Sequence, residues 1–450
     1  MDLSNKKITV IGARKSGMAA LRLAVTAGAR PKVSETVECS SIPQDDAEWI
    51  KKNCFAFEFG GHTRKFIEDS DLVVISPAVS IFSDAAAWAY SKGIPVLGEV
   101  EFAYQFCRRP VIAVTGTNGK TTVSTLIHYV LQEAGYSSVL CGNIGRPFSL
   151  YADKTDVDFF ILEVSSFQLE SLIGGNPLNN KGILVSRCDN INGFRPYVSV
   201  FLNFYKNHLD RHKDMREYFN AKKNIFLNQQ SDNFAVLNFM DDVVSRIASN
   251  VNATIAYFNI PDKNAGVTLV QDVCSRQSSN YSAVMVVAQI LGISADVCKK
   301  VFSGFKGIEH RMEWVGCING VDFINDSKST TAESAGWALS CLNKPVLMLC
   351  GGRDKGANFE AIAGLVAKKV KKMMAFGEAR QRLRQVFGDI VDVSLCGSLE
   401  DAVLKAKAVA VEGDVVLLSP MCSSFDMFLN FEQRGKVFKE LVNNLCILEV

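Results

Sequence analysis

One stretch narrows the possible folds more than any other. After Pro110 the chain runs VIAVTGTNGKTT, an apolar strand pattern closed by a glycine turn. Val123, Leu126, Ile127, Val130 and Leu131 then recur at helical spacing, and Gly135 stops the helix. A buried strand that passes through a glycine turn into a helix opens a phosphate-binding α/β unit. The backbone N–H groups of Gly116, Thr117, Asn118 and Gly119 can turn toward phosphate oxygens there. Lys120 can meet the β- and γ-phosphates, Thr121 can hold Mg²⁺ through its hydroxyl, and Thr122 completes the turn. ATP is the expected nucleotide. The longer GxxxxGK[ST] spacing is incomplete, because Val114 stands where its first glycine would be. The alternative is a plain glycine turn before a helix.

The rest of the chain fits an α/β frame. Ile8–Ile11 reads as a buried strand and Gly17–Ala27 as a helix ended by Gly28. Leu72–Ile75, Pro95–Leu97, Val346–Leu349, Met373–Ala375 and Val415–Leu418 read as further strands. Strands alternating with helices imply mainly parallel sheets. At 450 residues the chain has room for about three domains. We expect an N-terminal Rossmann-like domain over 1–108. A central P-loop ATPase-like domain with a mainly parallel sheet follows over 109–308, and a C-terminal Rossmann-like domain over 309–450.

Charge and composition exclude several classes of function. With 49 basic and 47 acidic residues the net charge is +2, which gives no long-range pull toward nucleic acid or membrane. No apolar run reaches the ~18 residues that span a bilayer, and the opening MDLSNKKITVIG lacks the pattern of a signal peptide. Thirteen cysteines, none in a Cys-x-x-Cys pair, suit reduced thiols in a reducing compartment. We therefore expect a cytoplasmic protein that neither binds nucleic acid nor inserts into a membrane; small-molecule partners and a monomer are the further expectation, though composition itself does not set the oligomeric state.

Four further stretches carry candidate chemistry. FILEVSSFQLE is a strand that ends in Glu163, and a carboxylate at a strand end near a phosphate loop is a natural Mg²⁺ ligand. NFYKNHLDRH supplies His208 as a candidate second ligand. Taken singly, each is as well explained as a structural polar group. YFNAKKNI places Lys222 on a basic helix. IGARKSG is a GxGxxG turn without its middle glycine, and Arg14 there argues against a dinucleotide. The turn still suits a diphosphate held by helix N–H groups, Lys15 and Ser16.

These motifs, in this order, resemble the Mur ligases and their relative folylpolyglutamate synthetase. GTNGKTT is similar to the family's ATP loop. E-x-S-S-F-Q-L-E resembles the stretch that supplies a Mg²⁺-binding Glu, here Glu163, in the form found where D-glutamate is added. N-x-x-x-D-H-x-D-R-H resembles the stretch that supplies a Mg²⁺-binding His, here His208, with Asn207 in place of the family's Asp. The resemblance makes Lys120, Glu163, His208 and Lys222 the catalytic set, with Lys222 carbamylated by CO₂. It implies ATP and two Mg²⁺ ions, with Thr121, Glu163 and His208 as metal ligands. Asn280, Arg311 in H-R-M-E and Asp326 in N-D-S-K-S-T would reach ATP. Lys15, Ser16, Glu35, Thr36, Ser76, Pro77, Asn143 in G-N-I-G, Ser165 and Gln168 would hold a UDP-linked muramoyl-L-alanine substrate. Lys328, Thr330, Lys355 in GGRDKG, and Ser424, Phe425 and Phe431 in the SPMCSSFDMFLNFEQRG run would hold D-glutamate. Lysine ammonium groups suit its two carboxylates.

The implied reaction is ATP-dependent amide formation through an acyl phosphate, in the bacterial cytoplasm, for peptidoglycan precursor synthesis. Three other readings compete. A relative adding another amino acid or acting on folate is disfavoured by SSFQLE and FEQRG. A nicotinamide dehydrogenase is disfavoured by Arg14. A nucleotide-binding protein without turnover is motivated by Asn207.

Overall fold

The computed structural model describes residues 1–172, 192–209, 211–261, 277–305, 307–354 and 356–447. The chain forms two compact units, Met1–Phe305 and Lys306–Val450. The first unit contains two sheets. Strands β1 (Lys7–Ile11), β2 (Arg30–Ser34), β3 (Ala56–Glu58), β4 (Leu72–Ile75) and β5 (Val96–Gly98) form one, in the order β3-β2-β1-β4-β5, all parallel. The crossover reverses at β1 and β4, so a crevice opens at their C-terminal ends, the usual ligand position in such sheets.

The second sheet uses β6 (Val111–Thr115), β7 (Ser138–Gly142), β8 (Phe159–Glu163), β9 (Val198–Phe201), β10 (Phe234–Asn238) and β11 (Thr254–Phe258) in the order β11-β10-β9-β6-β8-β7. Its pairings are also parallel. Every residue of β6 is buried, because helices and loops cover both faces of a parallel sheet. Ile112 and Val114 pack with Val123, Leu126, Ile127 and Val130 of the helix Lys120–Glu133. Ala113, one step along, faces the opposite core. Each such apolar side chain contributes about 1.5–3 kcal/mol by leaving water. That opposite core runs on through Phe102, Phe148, Phe160 and Phe194 to Ile8, Val10 and Val74 of the first sheet. A shared apolar core makes one unit out of two sheets.

The second unit carries β12 (Glu313–Ile318), β13 (Val321–Asn325), β14 (Val346–Gly351), β15 (Val370–Phe376), β16 (Val393–Leu395) and β17 (Val415–Leu418), in the order β12-β13-β17-β14-β15-β16. Only β12 runs antiparallel, paired with β13. The sequence reading did not anticipate that hairpin, because β12 is a half-covered edge strand with Trp314 60% exposed. All cysteines with described side chains are free, and Cys141, Cys298, Cys350, Cys396 and Cys422 are buried. Among the described residues no helix is long and apolar enough to cross a membrane.

Candidate active site

The turn after β6 has the geometry of a phosphate cradle. Gly116 and Gly119 adopt φ of 149° and 84°, which side chains rarely allow. A Cβ on Gly119 would stand 2.6 Å from Asn280 Oδ1, so Asn280 lies against the turn from another helix. The turn is pinned from the segment after β9. Asn118 N donates to Asn203 Oδ1 (2.9 Å), and Asn203 Nδ2 donates to Asn118 O (3.1 Å). Thr117 Oγ1 accepts from Tyr205 N (3.0 Å) and lies 3.3 Å from the Tyr218 hydroxyl. Lys120 Nζ folds over the turn, donating to Gly116 O (2.9 Å) and Thr117 O (3.0 Å). Thr121 is buried at the helix start, and Thr122 follows it.

Glu163 ends β8, next to β6, and is 3% exposed. Asn143 Nδ2 donates to its Oε1 (2.7 Å), while Oε2 is buried without a hydrogen-bond partner. Gly142 permits this approach, since a Cβ there would lie 2.5 Å from Glu163 O. A buried carboxylate oxygen with no donor is costly unless a cation or proton serves it. The donor set fits Mg²⁺, a hard cation that takes a carboxylate and phosphate oxygens. His208 stands nearby in the left-handed region (φ 56°), its ring 5.0 Å from Phe167 and 5.8 Å from Tyr218.

Lys222 comes from the helix Met215–Lys223 and is 1% exposed. Its Nζ donates to Gly116 O (2.8 Å) and lies 3.5 Å from Thr115 Oγ1. Burial, with Lys120 close by, holds its pKa well below the ordinary lysine value, although Glu163 opposes the shift. Two lysines therefore share one carbonyl beside an under-served carboxylate. That is a site made for additional negative charge.

At the crevice of the first sheet, Ser76 Oγ donates to Gly12 O (3.2 Å). A Cβ on Gly17 would collide with Gly12 O at 1.7 Å, so that helix start admits no side chain. Lys15 is exposed, and Ser16 and Pro77 are half-buried. The Glu35 carboxylate is engaged by its own loop: Ala13 N (2.6 Å), Thr36 N (2.7 Å) and Val37 N (3.3 Å) all donate to it. Burial pushes its pKa up, but those amides outweigh burial and hold it low. Glu35 thus shapes the turn as an anion. Ser165 and Gln168 cap the short helix Ser166–Leu169 reciprocally.

In the second unit the loops after β13, β14 and β17 are interwoven. Asp326 N donates to Leu418 O, Gly351 N to Pro420 O and Met421 N to Ser329 O. Asp326 Oδ2 accepts from Ser329 Oγ (2.5 Å) and Ser419 Oγ (2.9 Å), and burial raises its pKa to about 6. Asn325 Nδ2 reaches His310 Nδ1, Glu313 Oε2 and Gly435 O. Gly435 is needed because a Cβ would sit 2.2 Å from His310 Nδ1. Arg434, fully buried, donates to Ser327 Oγ (3.0 Å), Ser327 O (2.9 Å), Cys422 O (3.1 Å) and Gly351 O (3.4 Å). Arg311 lies over Trp337 at 5.7 Å. Lys328 and Thr330 are half-buried, Ser424 is buried and Phe425 is 57% exposed. The Phe431 ring lies 6.3 Å from His310. Lys355 lies outside the described residues.

The structure brings residues that the sequence had singled out separately into one neighbourhood: the phosphate turn, Glu163, His208, Lys222 and Asn280, together with Asn143, which the sequence reading had given to the UDP-linked substrate. Sequence reasoning missed Asn203 as the clamp of the turn and Arg434 as a loop clamp. Asn203's position two residues past a strand end, across from the phosphate turn, was the available signal. Nothing local marked Arg434 as structural.

A glycine phosphate cradle, two lysines and a buried carboxylate oxygen without a donor fit a nucleotide's phosphates and their divalent cation, the class of ATP-using enzymes. Models of the Mur ligase middle domain match residues 114–177 and 178–297. The Mur ligase glutamate ligase domain matches 310–422, and the MurD-like N-terminal domain of Mur ligases matches 6–98. The UDP-N-acetylmuramoylalanine–D-glutamate ligase of Thermoanaerobacter sp. (strain X514) is 36% identical over 473 residues, covering 99% of this chain and 100% of the relative. The enzyme of the same name from Caldicellulosiruptor saccharolyticus is 35% identical over 472 residues, again with 99% and 100% coverage. Among solved structures, the UDP-N-acetylmuramate-alanine ligase of Thermotoga maritima shares the fold, with a TM-score of 0.56 at 16% identity, covering 98% of this chain and 100% of that one. The chain belongs to the Mur ligase family, ATP-dependent enzymes that form amide bonds.

Proposed function

We infer that this chain joins D-glutamate to UDP-N-acetylmuramoyl-L-alanine with ATP, in the bacterial cytoplasm, as a step of peptidoglycan precursor synthesis. The observation that carries this reading is full-length identity of 36% to an enzyme of that name. The orphaned Glu163 Oε2 beside the phosphate turn supports it.

In the first step an oxygen of the L-alanine carboxylate attacks the γ-phosphorus and ADP leaves, giving an acyl phosphate. In the second, the amine of D-glutamate attacks the acyl carbon, the amide forms and inorganic phosphate departs. Phosphoryl transfer asks the protein mainly for position and for charge against developing negative oxygens. The N–H groups of Gly116–Thr122 hold the phosphates, and Lys120 exchanges its contacts with Gly116 O and Thr117 O for β- and γ-oxygens. Glu163, His208 and Thr121 would hold Mg²⁺, which would supply positive charge against the phosphate oxygens. Asn143 fixes the carboxylate plane of Glu163.

Lys222 is the candidate for carbamylation. An amine whose pKa is held low is available as a nucleophile toward CO₂; its nitrogen bonds the carbon, a proton leaves to solvent, and the carbamate is an anion beside the Lys120 ammonium. Asn280, Arg311 and Asp326 are proposed to serve ATP. The first-sheet turns with Lys15, Ser16, Thr36, Ser76 and Pro77 serve the nucleotide-sugar end, with Glu35 shaping them. Lys328, Lys355, Thr330, Ser424, Phe425 and Phe431 serve D-glutamate. The domains proposed are 1–108, 109–308 and 309–450.

The test is phosphate release with ATP, Mg²⁺ and UDP-N-acetylmuramoyl-L-alanine, comparing D-glutamate with L-glutamate, L-alanine and diaminopimelate. Release that needs D-glutamate and nearly vanishes in Lys120→Ala is expected. Equal release with another amino acid, or near-normal release by Lys120→Ala, would overturn the assignment.

A further inference from the structure

Arg211 lies three residues after His208, and its backbone N donates to His208 O (3.2 Å). Its guanidinium reaches across the first unit to the turn that follows β4. One terminal nitrogen donates to Ala78 O (3.3 Å); the other donates to Val79 O (3.2 Å) and to Glu170 Oε1 (2.5 Å). The guanidinium carbon lies 5.2 Å from the centre of the Phe167 ring, and the same ring packs edge-on against His208 at 5.0 Å. The other Glu170 oxygen lies 3.9 Å from His212 Nδ1, and His212 Nε2 lies 3.0 Å from Ser166 Oγ. The gripped turn begins at Ser76, which bonds Gly12 O in the crevice of the first sheet. One planar fork thus holds the nucleotide-sugar turn and the segment that carries His208.

We propose that Arg211 is a positioning residue that couples the turn after β4 to the placement of His208, so that the nucleotide-sugar substrate and the metal–nucleotide side strengthen each other's binding. This rests on the function inferred above. His208 sits in a left-handed conformation, which the surrounding structure must enforce. Arg211 supplies part of that restraint from the first sheet. Coupling through such a contact is reciprocal: whatever the metal side adds to substrate affinity, the substrate adds to metal affinity. Arginine suits the role because its fork serves two carbonyls and a carboxylate together. Lysine, a single point of charge, can pair Glu170 but cannot span all three. A purely structural Arg–Glu pair would instead contribute to folding alone.

The experiment is calorimetric binding of UDP-N-acetylmuramoyl-L-alanine to the wild type, Arg211→Ala and Arg211→Lys. Each is measured without metal, and again with Mg²⁺ and a non-hydrolysable ATP analogue. In the wild type, metal and nucleotide should tighten substrate binding by about fivefold or more, the lower range for coupled sites. Arg211→Lys should keep its melting temperature within a few degrees yet lose most of that tightening, with kcat falling further than KM rises. Should Arg211→Ala unfold because Glu170 is left unpaired, Arg211→Lys carries the measurement. The proposal fails if Arg211→Lys keeps the wild-type tightening. It fails equally if affinity drops by one factor with and without metal, or if the wild type shows no tightening. D-glutamate-dependent phosphate release by the wild type is measured alongside; its absence would sink the inferred function instead.

Discussion

Arg434 in the second unit and Lys222 in the first are buried basic side chains with opposite fates. Arg434 is fully buried among four acceptors drawn from three loops, and burial lowers its pKa only to about 10. It stays charged and ties Ser327, Gly351 and Cys422 together. Lys222 is as deeply buried, yet its acceptors are Gly116 O, shared with Lys120, and a longer contact to Thr115 Oγ1, and its pKa falls well below the ordinary value. A guanidinium with a satisfied fork is structure; a crowded amine that can shed its proton is chemistry.

The largest effect should come from breaking the satisfied member. Arg434→Ala leaves buried carbonyls and a hydroxyl without their donor and should destabilise the second unit by several kcal/mol, at about 1–3 kcal/mol for each group left unsatisfied, read by urea denaturation. Arg434→Lys should recover only part of it. A loss below about 1 kcal/mol would put Arg434 outside the scaffold. Lys222→Ala should behave in the opposite way. Stability should hold or rise, while turnover drops by about 10²–10³-fold, the scale of a lost electrostatic group at phosphoryl transfer. Folding loss without a larger activity loss would erase the contrast.

A smaller effect sharpens the picture around Glu163. Asn143→Ala frees its carboxylate to rotate and should weaken Mg²⁺ by about 10–100-fold, as outer partners of metal ligands do. Titration of the apparent Mg²⁺ requirement at saturating ATP checks this, and an unchanged requirement would remove Asn143 from that role. The mildest effect is a slope. The Asp326 pKa rises from 3.8 to about 6 on folding, so the native state binds the proton more tightly than the unfolded state. The stability it contributes is whole below pH about 4 and is lost as pH climbs to about 6. The stability of the wild type minus that of Asp326→Asn should therefore fall across that window and be flat above it. A flat difference throughout would show that the burial of Asp326 has no such cost.

Legibility in the sequence followed the distance over which each feature is made. The phosphate turn was readable because strand, glycines, lysine and helix are consecutive, and its backbone conformation needs nothing from afar. Glu163 was readable as a carboxylate at a strand end. The partners of Arg211 were not, since Ala78 and Val79 lie 133 and 132 residues away. Arg434 read as part of a D-glutamate motif. The structure instead spends its donors on Ser327, 107 residues earlier, and on two carbonyls. Glu35 was expected among the residues that hold the UDP-linked substrate; that its carboxylate also accepts from its own loop's amides was not legible.

The sequence by itself determined that strands such as VIAVT would be buried in parallel sheets, and where a phosphate could be bound. Apolar runs, glycine turns and helix starts act through neighbours along the chain. Only the tertiary structure decided which buried polar group would be saturated and which left wanting. That depends on how many acceptors distant loops bring within about 3 Å of one nitrogen or oxygen, and no local pattern encodes that number.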